Sequence, residues 1–487
     1  MRAAIGGREM FRADELVNVI GGRLVVGRAD RTIDAISTDT RRLPPGALFW
    51  ALRGERFDGA AFVEEALARG ACGAVVPADA VPDARVWQGR DVVVIAAGDP
   101  LRALQEAAAA HRARFGLPVV GVTGSNGKTT TKEMAAAILA QRGPVLKTEG
   151  NLNNHIGVPL TLFRLGAAHR AAVVELGINH PGEMTRLCEI ARPTVGVITN
   201  VGHAHLEGFG GLDGVARAKG ELFEALGADG VAVVNLDDPR IATLGAGLTC
   251  RALTFGLTAG DVRGRIVDEG TRSGTRIEIR HDGARAECVV PVVGRHNAAN
   301  ALAAAAVAVA LGTDLESVAK GLERFRPAAM RSELVTAPSG VVVFNDAYNA
   351  NPSSMERALD TAGRLRGAGR PRRPGGGRSG GPVDRGGSPS CGHGGAGGRL
   401  GRRGRRRRGG DRRLVPGRGR GVDQGVATDG AGARGDGLGG RAAARPHLRT
   451  GGRCSITCCT RCTRTTRSST SFGTSRSGRS TPCSPRW

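Results

Sequence analysis

The sequence predicts an α/β protein of about three domains built around a central parallel sheet. Short apolar runs recur between residues 113 and 328, each ends in polar residues, and helical segments separate them. Strands that alternate with helices favour a parallel sheet covered on both faces. The chain has 487 residues, which suits about three domains at roughly 150 residues each. Its 40% of hydrophobic residues are enough for a sizeable core.

The positive charge is confined to the end of the chain. The formal net charge is +24, but residues 361–487 hold 29 Arg and five Asp with no Lys or Glu, and residues 1–360 are electrically balanced. A uniformly basic nucleic-acid binder is therefore excluded. The charge also predicts a boundary between two different kinds of sequence.

Residues 10–112 predict a small α/β domain. A helix over Asp14–Val19 ends at Gly21 and Gly22, and helical spacing covers Ala60–Arg69. Apolar runs between turn residues predict strands at Ala47–Leu52, Ala74–Val76 and Val92–Ala96.

Residues 113–328 predict the central domain. The runs PVVGVTG, AAVVELG, VGVITNVG and GVAVVNLD read as buried parallel strands. Thr271–Arg280 and Ala284–Val290 predict antiparallel strands, while Thr130–Ala140 and the Ala-rich Asn297–Leu311 predict helices. Ligands of such sheets bind beyond the carboxyl ends of the strands, where the polar residues lie.

Residues 329–366 predict the start of a third domain, with one strand over Glu333–Phe344 and a helix from Pro352. The apolar periodicity stops after about Gly367. Residues 367–487 are rich in Gly, Arg, Pro, Ser and Thr, a composition typical of a disordered tail. Cys454, Cys458, Cys459 and Cys462 lie in this tail without an evident scaffold, and we expect no metal there.

A shift of reading frame explains the tail better. Pro374–Arg385 can be encoded by codons that spell RVAVVLGDLLT one base later, and Gly404–Gly409 then yields a run of valines. Both products are buried-strand sequences of the kind that a third α/β domain needs. We therefore interpret residues 367–487 as an aberrant continuation of an incomplete domain.

The sequence predicts a cytoplasmic protein. Its start has no apolar core of a signal peptide, and its longest apolar stretch, Ala298–Leu311, is too short to span a bilayer. Cys72, Cys188, Cys250 and Cys288 are scattered without metal-ligand spacing, as expected in a reducing compartment.

Gly121–Glu133, GVTGSNGKTTTKE, predicts a phosphate-binding loop between a strand and a helix. Glycines allow backbone N–H groups to approach phosphate oxygens, and the helix N-terminus favours negative charge. Lys128 would reach the β- and γ-phosphates, and the Thr129 hydroxyl would hold Mg²⁺. Val122 stands where the general motif has Gly. A simple Gly-rich turn is the alternative.

Three further polar positions follow predicted strands. Glu175 ends AAVVELG and is either a Mg²⁺ ligand or an ordinary exposed carboxylate. TNVGHAHLEGFG (Thr199–Gly210) carries two His and one Glu that would suit metal or substrate. Lys219 lies on a predicted helix, and the composition of that helix alone suggests that Lys219 is a surface lysine.

Two amide-rich segments complete the candidate site. Asn297 and Asn300 lie one helical turn apart, and their amides suit an adenine edge. A helix cap is the alternative, mainly for Asn297. FNDAYNANPSSM (Phe344–Met355) brings Asp346, Asn349 and Asn351 into one turn. The alternative there is a plain turn.

Together these motifs resemble the ATP-dependent Mur ligases of peptidoglycan synthesis. The ATP loop TGSNGKTT, the stretches Ser37–Ala71 and Thr148–Leu162, NVGHAHLEGFG and NDAYNANPSSM carry the resemblance over roughly residues 10–366. They are most similar to the family members that add a dipeptide to a UDP-muramoyl tripeptide. A resemblance to the family members that add the third residue of the peptide is the less favoured alternative.

The resemblance implies a three-domain architecture with a central P-loop ATPase domain, and roles for named residues. The ATP loop comprises Gly124, Asn126, Gly127, Lys128, Thr129 and Thr130. Thr129, Glu175 and His205 would ligate Mg²⁺, and His205 has the family spacing of five residues from Asn200. Lys219 would be carbamylated and would help to position the metal. Lys128, Lys219 and His205 would form the catalytic group.

The resemblance also implies substrate contacts. Asn297 and Asn300 would meet adenine, while Arg331 and Asp346 would contact phosphate and ribose. The UDP-sugar substrate would meet Ser37, Thr38, Asp39, Arg41, Asn151, Asn154 and His155. The implied substrates are ATP, UDP-N-acetylmuramoyl tripeptide and D-alanyl-D-alanine, and the implied reaction passes through an acyl phosphate. We further expect a monomer.

The sequence after Gly367 lacks the family segment that helps to bind the dipeptide. We therefore expect a chain with ATP and UDP-substrate motifs but little ligase activity. One alternative is an inactive module that binds the UDP-sugar. Another is a nucleic-acid binder that uses the Arg-rich tail as an anchor, which the lack of Lys and aromatic residues there makes less favoured.

Overall fold

A computed structural model describes residues 9–54, 57–81, 83–202, 206–271, 274–339, 341–349, 351–368 and 457–459. Within these residues no helix combines the length and the apolar character that crossing a membrane requires.

The N-terminal part of the chain contains a five-stranded sheet in the order β2-β7-β6-β5-β4. The β2–β7 pair is antiparallel and the other pairs are parallel. Its elements are β1 (Phe11–Arg12), α1 (Ala13–Ile20), β2 (Arg23–Val26), β3 (Thr32–Ile33), β4 (Ile36–Ser37), β5 (Leu48–Trp50), α2 (Val63–Ala68), β6 (Gly73–Pro77), β7 (Val93–Ala97) and α3 (Pro100–Ala113).

Alternating side chains of this sheet enter two cores. Phe49 packs with Val63 and Trp87, whereas its neighbour Trp50 belongs to the core of Leu104. The predicted first helix is confirmed, and Gly21 ends it with φ at 60°. The helix predicted over Ala60–Arg69 is shorter, because a 3₁₀ turn takes up its first residues.

The central part of the chain is built on a nine-stranded sheet in the order β16-β15-β14-β13-β12-β11-β8-β10-β9. Its elements are β8 (Val119–Thr123), α4 (Lys128–Leu139), β9 (Val145–Lys147), α5 (Gly157–Leu162), β10 (Ala171–Glu175), α6 (Glu183–Ala191), β11 (Val195–Ile198), α7 (Leu206–Phe209), α8 (Leu212–Glu224), β12 (Val231–Asn235), α9 (Pro239–Gly245), β13 (Arg251–Gly256), β14 (Val262–Thr271), β15 (Gly274–His281), β16 (Ala284–Val290), α10 (Arg295–Ala310) and α11 (Leu315–Arg324).

The predicted parallel sheet covered on both faces is confirmed. Strands β8 to β14 pair in parallel, and β14, β15 and β16 pair antiparallel. Adjacent residues of one strand, such as Val173 and Val174, enter different cores on the two faces. The sequence analysis missed β14, where buried Val262 alternates with exposed Arg263 in a largely polar stretch.

The single strand predicted over Glu333–Phe344 is wrong. The segment forms an antiparallel hairpin of β17 (Glu333–Thr336) and β18 (Val342–Asn345). Pro338 has no backbone N–H and favours a turn, and the Ala337 N–H donates to the Val341 carbonyl across it at 2.8 Å. The helix predicted from Pro352 is confirmed as α12 (Pro352–Ala368).

Most of the tail that was expected to be disordered lies outside the described residues. Its residues Thr457–Cys459 do not fit that expectation, because they form β19, which pairs antiparallel with β18. The hairpin and β19 together make a three-stranded sheet. Cys454 and Cys462 lie outside the described residues.

Candidate active site

A cleft of about 440 Å³ lies at the carboxyl ends of β8 and β10, with residues 331–357 forming another wall. It brings together many residues that the sequence analysis singled out from separate motifs: Gly124, Asn126, Gly127, Lys128, Thr129, Thr130, Asn151, Asn154, Glu175, Lys219, Asn297, Asn300, Arg331 and Asp346. Ligands of open α/β sheets bind at this edge.

The loop between β8 and α4 requires glycine at two positions. Gly124 has φ at 144°, and a Cβ atom there would lie 1.9 Å from the Thr199 hydroxyl oxygen. Gly127 has φ at 81°, and its Cβ would lie 2.2 Å from the Asn300 side-chain oxygen. Any other residue would be strained at these positive φ angles and would displace Thr199 or Asn300, so the two glycines let the loop pack closely against the end of β11 and against α10.

Asn200 fixes the loop from the neighbouring strand end. Its Oδ1 accepts from the Asn126 N–H at 3.0 Å and its Nδ2 donates to the Asn126 carbonyl at 2.8 Å. The Thr199 hydroxyl donates to the same carbonyl at 2.6 Å. In the sequence Asn200 only marks the spacing to His205, and no pattern around it indicates this contact.

Lys128 lies across the loop at the start of α4. Its ammonium group donates to the Gly124 carbonyl at 2.9 Å. Burial lowers the pKa of Lys128, while the nearby Glu175 carboxylate acts in the opposite direction. Lys128 therefore places a cation where the loop would hold phosphate.

Glu175 is a buried carboxylate, so the interpretation as an ordinary exposed residue is wrong. Its side chain accepts from the Thr129 hydroxyl at 2.9 Å and from Asn153 Nδ2 at 2.9 Å. The residue is 2% exposed. A carboxylate, a hydroxyl and an amide form the hard oxygen donor set that Mg²⁺ prefers. His203 and His205 lie outside the described residues, which contain no group of three or more potential His, Cys, Asp or Glu ligands.

Lys132, which the sequence analysis missed, lies buried behind this carboxylate. Its ammonium group donates to the Thr148 carbonyl at 2.7 Å, and it lies 3.0 Å from Glu133 and 3.8 Å from Glu175. The Thr148 hydroxyl accepts from the Glu175 N–H at 2.9 Å. The available signal was the spacing of four residues from Lys128, which places both lysines on one helix face.

Lys219 is also buried, so the interpretation as a surface lysine is wrong. Its side chain lies on α8 and lines the cleft. Burial, with a smaller effect from the Lys128 charge, lowers its pKa from 10.5 to about 7. A large fraction of its amine is therefore uncharged near neutral pH.

Asn297 and Asn300 are buried in the first turns of α10. Asn297 Nδ2 donates to the Val293 carbonyl at 2.9 Å, and Asn300 Nδ2 donates to Asn297 Oδ1 at 3.2 Å. The alternative that Asn297 caps the helix is wrong, because Gly294 occupies the N-cap position. The two amides are thus fixed relative to each other.

Residues between 331 and 357 form the second wall. The Arg331 guanidinium lies 4.0 Å from the centre of the Tyr348 ring. Asp346 accepts from the Ser332 N–H at 2.8 Å, and burial raises the pKa of its carboxyl group. The sequence analysis missed Ser332 and Tyr348. No local pattern distinguishes them from other turn residues.

The predicted UDP-sugar residues of the N-terminal domain do not line this cleft. Asp39 begins a 3₁₀ turn and pairs with Arg41 at 2.8 Å, and the Arg41 side chain is 81% exposed. The Ser37 hydroxyl donates to the Asp39 carbonyl at 3.1 Å. Thr38 lies in the same segment. This part of the site therefore stays a prediction.

The segment Asn151–His155 is divided in the structure. Asn151 and Asn154 line the cleft, and Asn154 Oδ1 accepts from the Gly157 N–H at 2.9 Å, which fixes the start of α5. The His155 side chain is exposed, and its carbonyl accepts from Gln105 at 3.2 Å. His155 is not part of the cleft wall.

Two regions of the chain match known protein families. Residues 122–308 match the Mur ligase middle domain. Residues 32–112 match the Mur ligase family catalytic domain.

Similar proteins cover most of the described chain. The UDP-N-acetylmuramoyl-tripeptide–D-alanyl-D-alanine ligases of Bacillus subtilis and Escherichia coli are each 38% identical, over 73% and 72% of this chain and 76% of each relative. A crystal structure of MurF from Acinetobacter baumannii matches with a TM-score of 0.66 and 36% identity, over 72% of this chain and 76% of that one. MurF ligase from Thermotoga maritima in complex with ADP matches with a TM-score of 0.59 and 28% identity, over 67% and 74%.

Proposed function

The chain belongs to the Mur ligase family, and on that premise we propose that it uses ATP to join D-alanyl-D-alanine to UDP-N-acetylmuramoyl tripeptide. The observation that carries the proposal is the arrangement of Lys128, Thr129 and Glu175 around the glycine loop at the cleft. Relatives with this activity are 38% identical over most of the described chain. The reaction makes a C–N bond in a precursor of peptidoglycan.

The proposed reaction has two steps. The terminal carboxylate of the tripeptide attacks the γ-phosphorus of ATP, which forms an acyl phosphate and releases ADP. The amine of D-alanyl-D-alanine then attacks the acyl carbon, phosphate leaves, and the amine loses a proton. The Lys128 ammonium stabilises the charge of the transferring phosphoryl group.

We propose that Thr129 and Glu175 hold Mg²⁺, with His205 as a further ligand. The oxygen donors around Glu175 support this assignment. When bound, Mg²⁺ supplies further neutralisation of phosphate charge. The hydrogen bonds from Thr129 and Asn153 orient the carboxylate toward one geometry.

We propose that Lys219 becomes carbamylated. Its uncharged amine would attack CO₂ and lose a proton, which gives a carbamate that helps to position the metal. The burial of Lys219 and its pKa of about 7 support this step, because only the uncharged amine reacts.

The remaining assignments concern the substrates. Asn297 and Asn300 would meet adenine, Arg331 a phosphate and Asp346 the ribose, and their place in the cleft wall supports this. Ser37, Thr38, Asp39 and Arg41 would bind the UDP-sugar, together with Asn151, Asn154 and His155. We propose that the enzyme acts in the cytoplasm as a monomer.

The test is phosphate release by the purified full chain with ATP, Mg²⁺ and the UDP-muramoyl tripeptide, with and without D-alanyl-D-alanine. We expect release that depends on the dipeptide and is slow, because the sequence after Gly367 lacks the dipeptide-binding segment that the family resemblance calls for. A rate near that of its relatives would refute the expectation about the tail.

The alternatives give different results in the same preparation. Tight binding of the UDP-substrate with no ATP turnover would contradict the ligase and favour the hypothesis of an inactive UDP-sugar-binding module. Affinity for nucleic acid that needs the tail and falls steeply with salt would favour the nucleic-acid binder.

A further inference from the structure

The phosphate loop and the C-terminal segment meet through a pair of asparagine side chains. Asn351 Nδ2 donates to Asn126 Oδ1 at 3.0 Å, across 225 positions of sequence. Asn126 belongs to the loop between β8 and α4, and Asn351 lies immediately before α12. The contact therefore joins the two walls of the nucleotide cleft.

The Asn126 end of this contact is rigid. Asn200 and Thr199 hold the Asn126 backbone on both its N–H and its carbonyl group. The Asn126 Nδ2 atom is buried, and no described residue accepts its hydrogens. A buried donor without a partner is unfavourable. The hydrogen bond that Asn126 Oδ1 accepts from Asn351 therefore accounts for this orientation of the Asn126 amide.

The Asn351 end is equally well fixed. Its Oδ1 accepts from the Ser354 N–H at 2.9 Å, and its own N–H donates to the Ser354 hydroxyl at 3.0 Å. The Asn351 side chain therefore caps the start of α12 with Oδ1 and donates to the phosphate loop with Nδ2. On α12, Ala358 packs with Phe344 of β18 and with Val293 of the central domain.

Arg331 and Asp346 lie on the segment that this contact joins to the phosphate loop. Both precede α12 in the same segment, and Asp346 directly follows β18. The apolar cluster that attaches the segment has three buried members, Val293, Phe344 and Ala358. A polar contact beside the nucleotide would add directional control that such a small apolar cluster lacks.

We propose that Asn351 is a positioning residue that acts through Asn126. It holds residues 329–368 against the phosphate loop, so that Arg331 and Asp346 face the bound nucleotide. This inference rests on the proposed function and identifies how the C-terminal segment contributes to nucleotide affinity.

The test compares binding of Mg²⁺–ADP to full-length variants by calorimetry. Asn351→Ser keeps a good helix cap but is too short to reach Asn126. We expect its dissociation constant for ADP to rise about three- to tenfold, the usual effect of one lost hydrogen bond. Asn126→Ala should give a similar rise, and the double variant should be no weaker than the worse single variant, because both changes remove one contact.

Two controls separate the contact from stability and from the substitution itself. Asn351→Ala also removes the helix cap, so this variant should melt at a lower temperature than Asn351→Ser. The two variants should bind ADP with the same dissociation constant. Asn18→Ser makes the same change at an exposed position of α1 and should leave binding unaltered.

The inference fails if Asn351→Ser binds ADP as tightly as the unmodified chain, or if the effects of the two single changes add in the double variant. Either result leaves the proposed function intact. Failure of the unmodified chain to bind ADP would instead contradict the proposed function.

Discussion

The two walls of the cleft are built differently. The central wall rises from a nine-stranded sheet with a core on each face, and its Lys132, Lys219 and Glu175 are buried. The C-terminal wall stands on a hairpin and one helix, attached through a cluster with three buried apolar residues. Rigid elements hold reacting groups more accurately than small appended segments do.

The difference suggests a division of labour. Lys128, Thr129 and Glu175 lie on the rigid wall, where small errors in position would cost most in rate. Arg331 and Asp346 lie on the smaller wall, where they would tune nucleotide affinity. Changes in the first wall should therefore lower kcat, whereas changes in the second should raise KM for ATP.

The largest effect is expected from Lys128→Met. Loss of one preorganised cation or donor at a developing charge commonly lowers kcat by about a hundred- to a thousandfold. Steady-state phosphate release measures this change. A variant with unchanged kcat and a higher KM for ATP would break the division between the walls.

Lys132→Met tests how firmly the central wall is built. It removes the cation that lies 3.0 Å from Glu133 and 3.8 Å from Glu175. Breaking a buried ion pair from one side costs about 3–5 kcal/mol, which urea unfolding would detect. Lys320→Met, which breaks the exposed pair with Glu316, is the control and should cost at most about 1 kcal/mol. Equal losses in both variants would contradict the description of the central wall.

Arg331→Gln tests the C-terminal wall. Removing this proposed charged donor to phosphate should raise KM for ATP by about tenfold, with kcat nearly unchanged. The Tyr348 ring, which Arg331 overlies, stays in place as an apolar surface. A fall in kcat equal to that of Lys128→Met would show that both walls take part in the chemistry.

The smallest effect is expected from a change of pH, which alters the protonation of Lys219. The pKa of Lys219 is about 7 in the folded chain and near 10.5 when the residue is exposed. Its uncharged fraction therefore rises as pH increases through 7, and so should carbamate formation, which ¹³C NMR with labelled CO₂ would measure. Between pH 7 and 10.5 the unfolded chain binds more protons at this residue, so its contribution to stability also rises with pH. Lys219→Arg should lack the carbamate signal, and a signal that persists there would assign the reaction elsewhere.

The sequence predicted the central wall well because its signals are local. A strand, a glycine loop and a helix follow each other within Val119–Leu139, and this order alone predicts a phosphate-binding loop. The same logic failed for Lys219, because the composition of its helix does not reveal which face is buried. The bond between Asn126 and Asn351 joins distant segments, and no local pattern indicates it. The hairpin at 333–345 is not evident in the sequence, because its two strands are short and apolar on both sides of Pro338 and together resemble one strand.

The most direct test of the account is the first half-reaction alone. The full chain is incubated with ATP, Mg²⁺ and UDP-muramoyl tripeptide but no dipeptide, and any acyl phosphate is reduced by borohydride to an alcohol that mass spectrometry detects. The account predicts this product in the unmodified chain and its loss in Lys128→Met, because the cleft in residues 119–368 holds the groups for phosphoryl transfer. Absence of the product from a chain that binds both ATP and the tripeptide would contradict it.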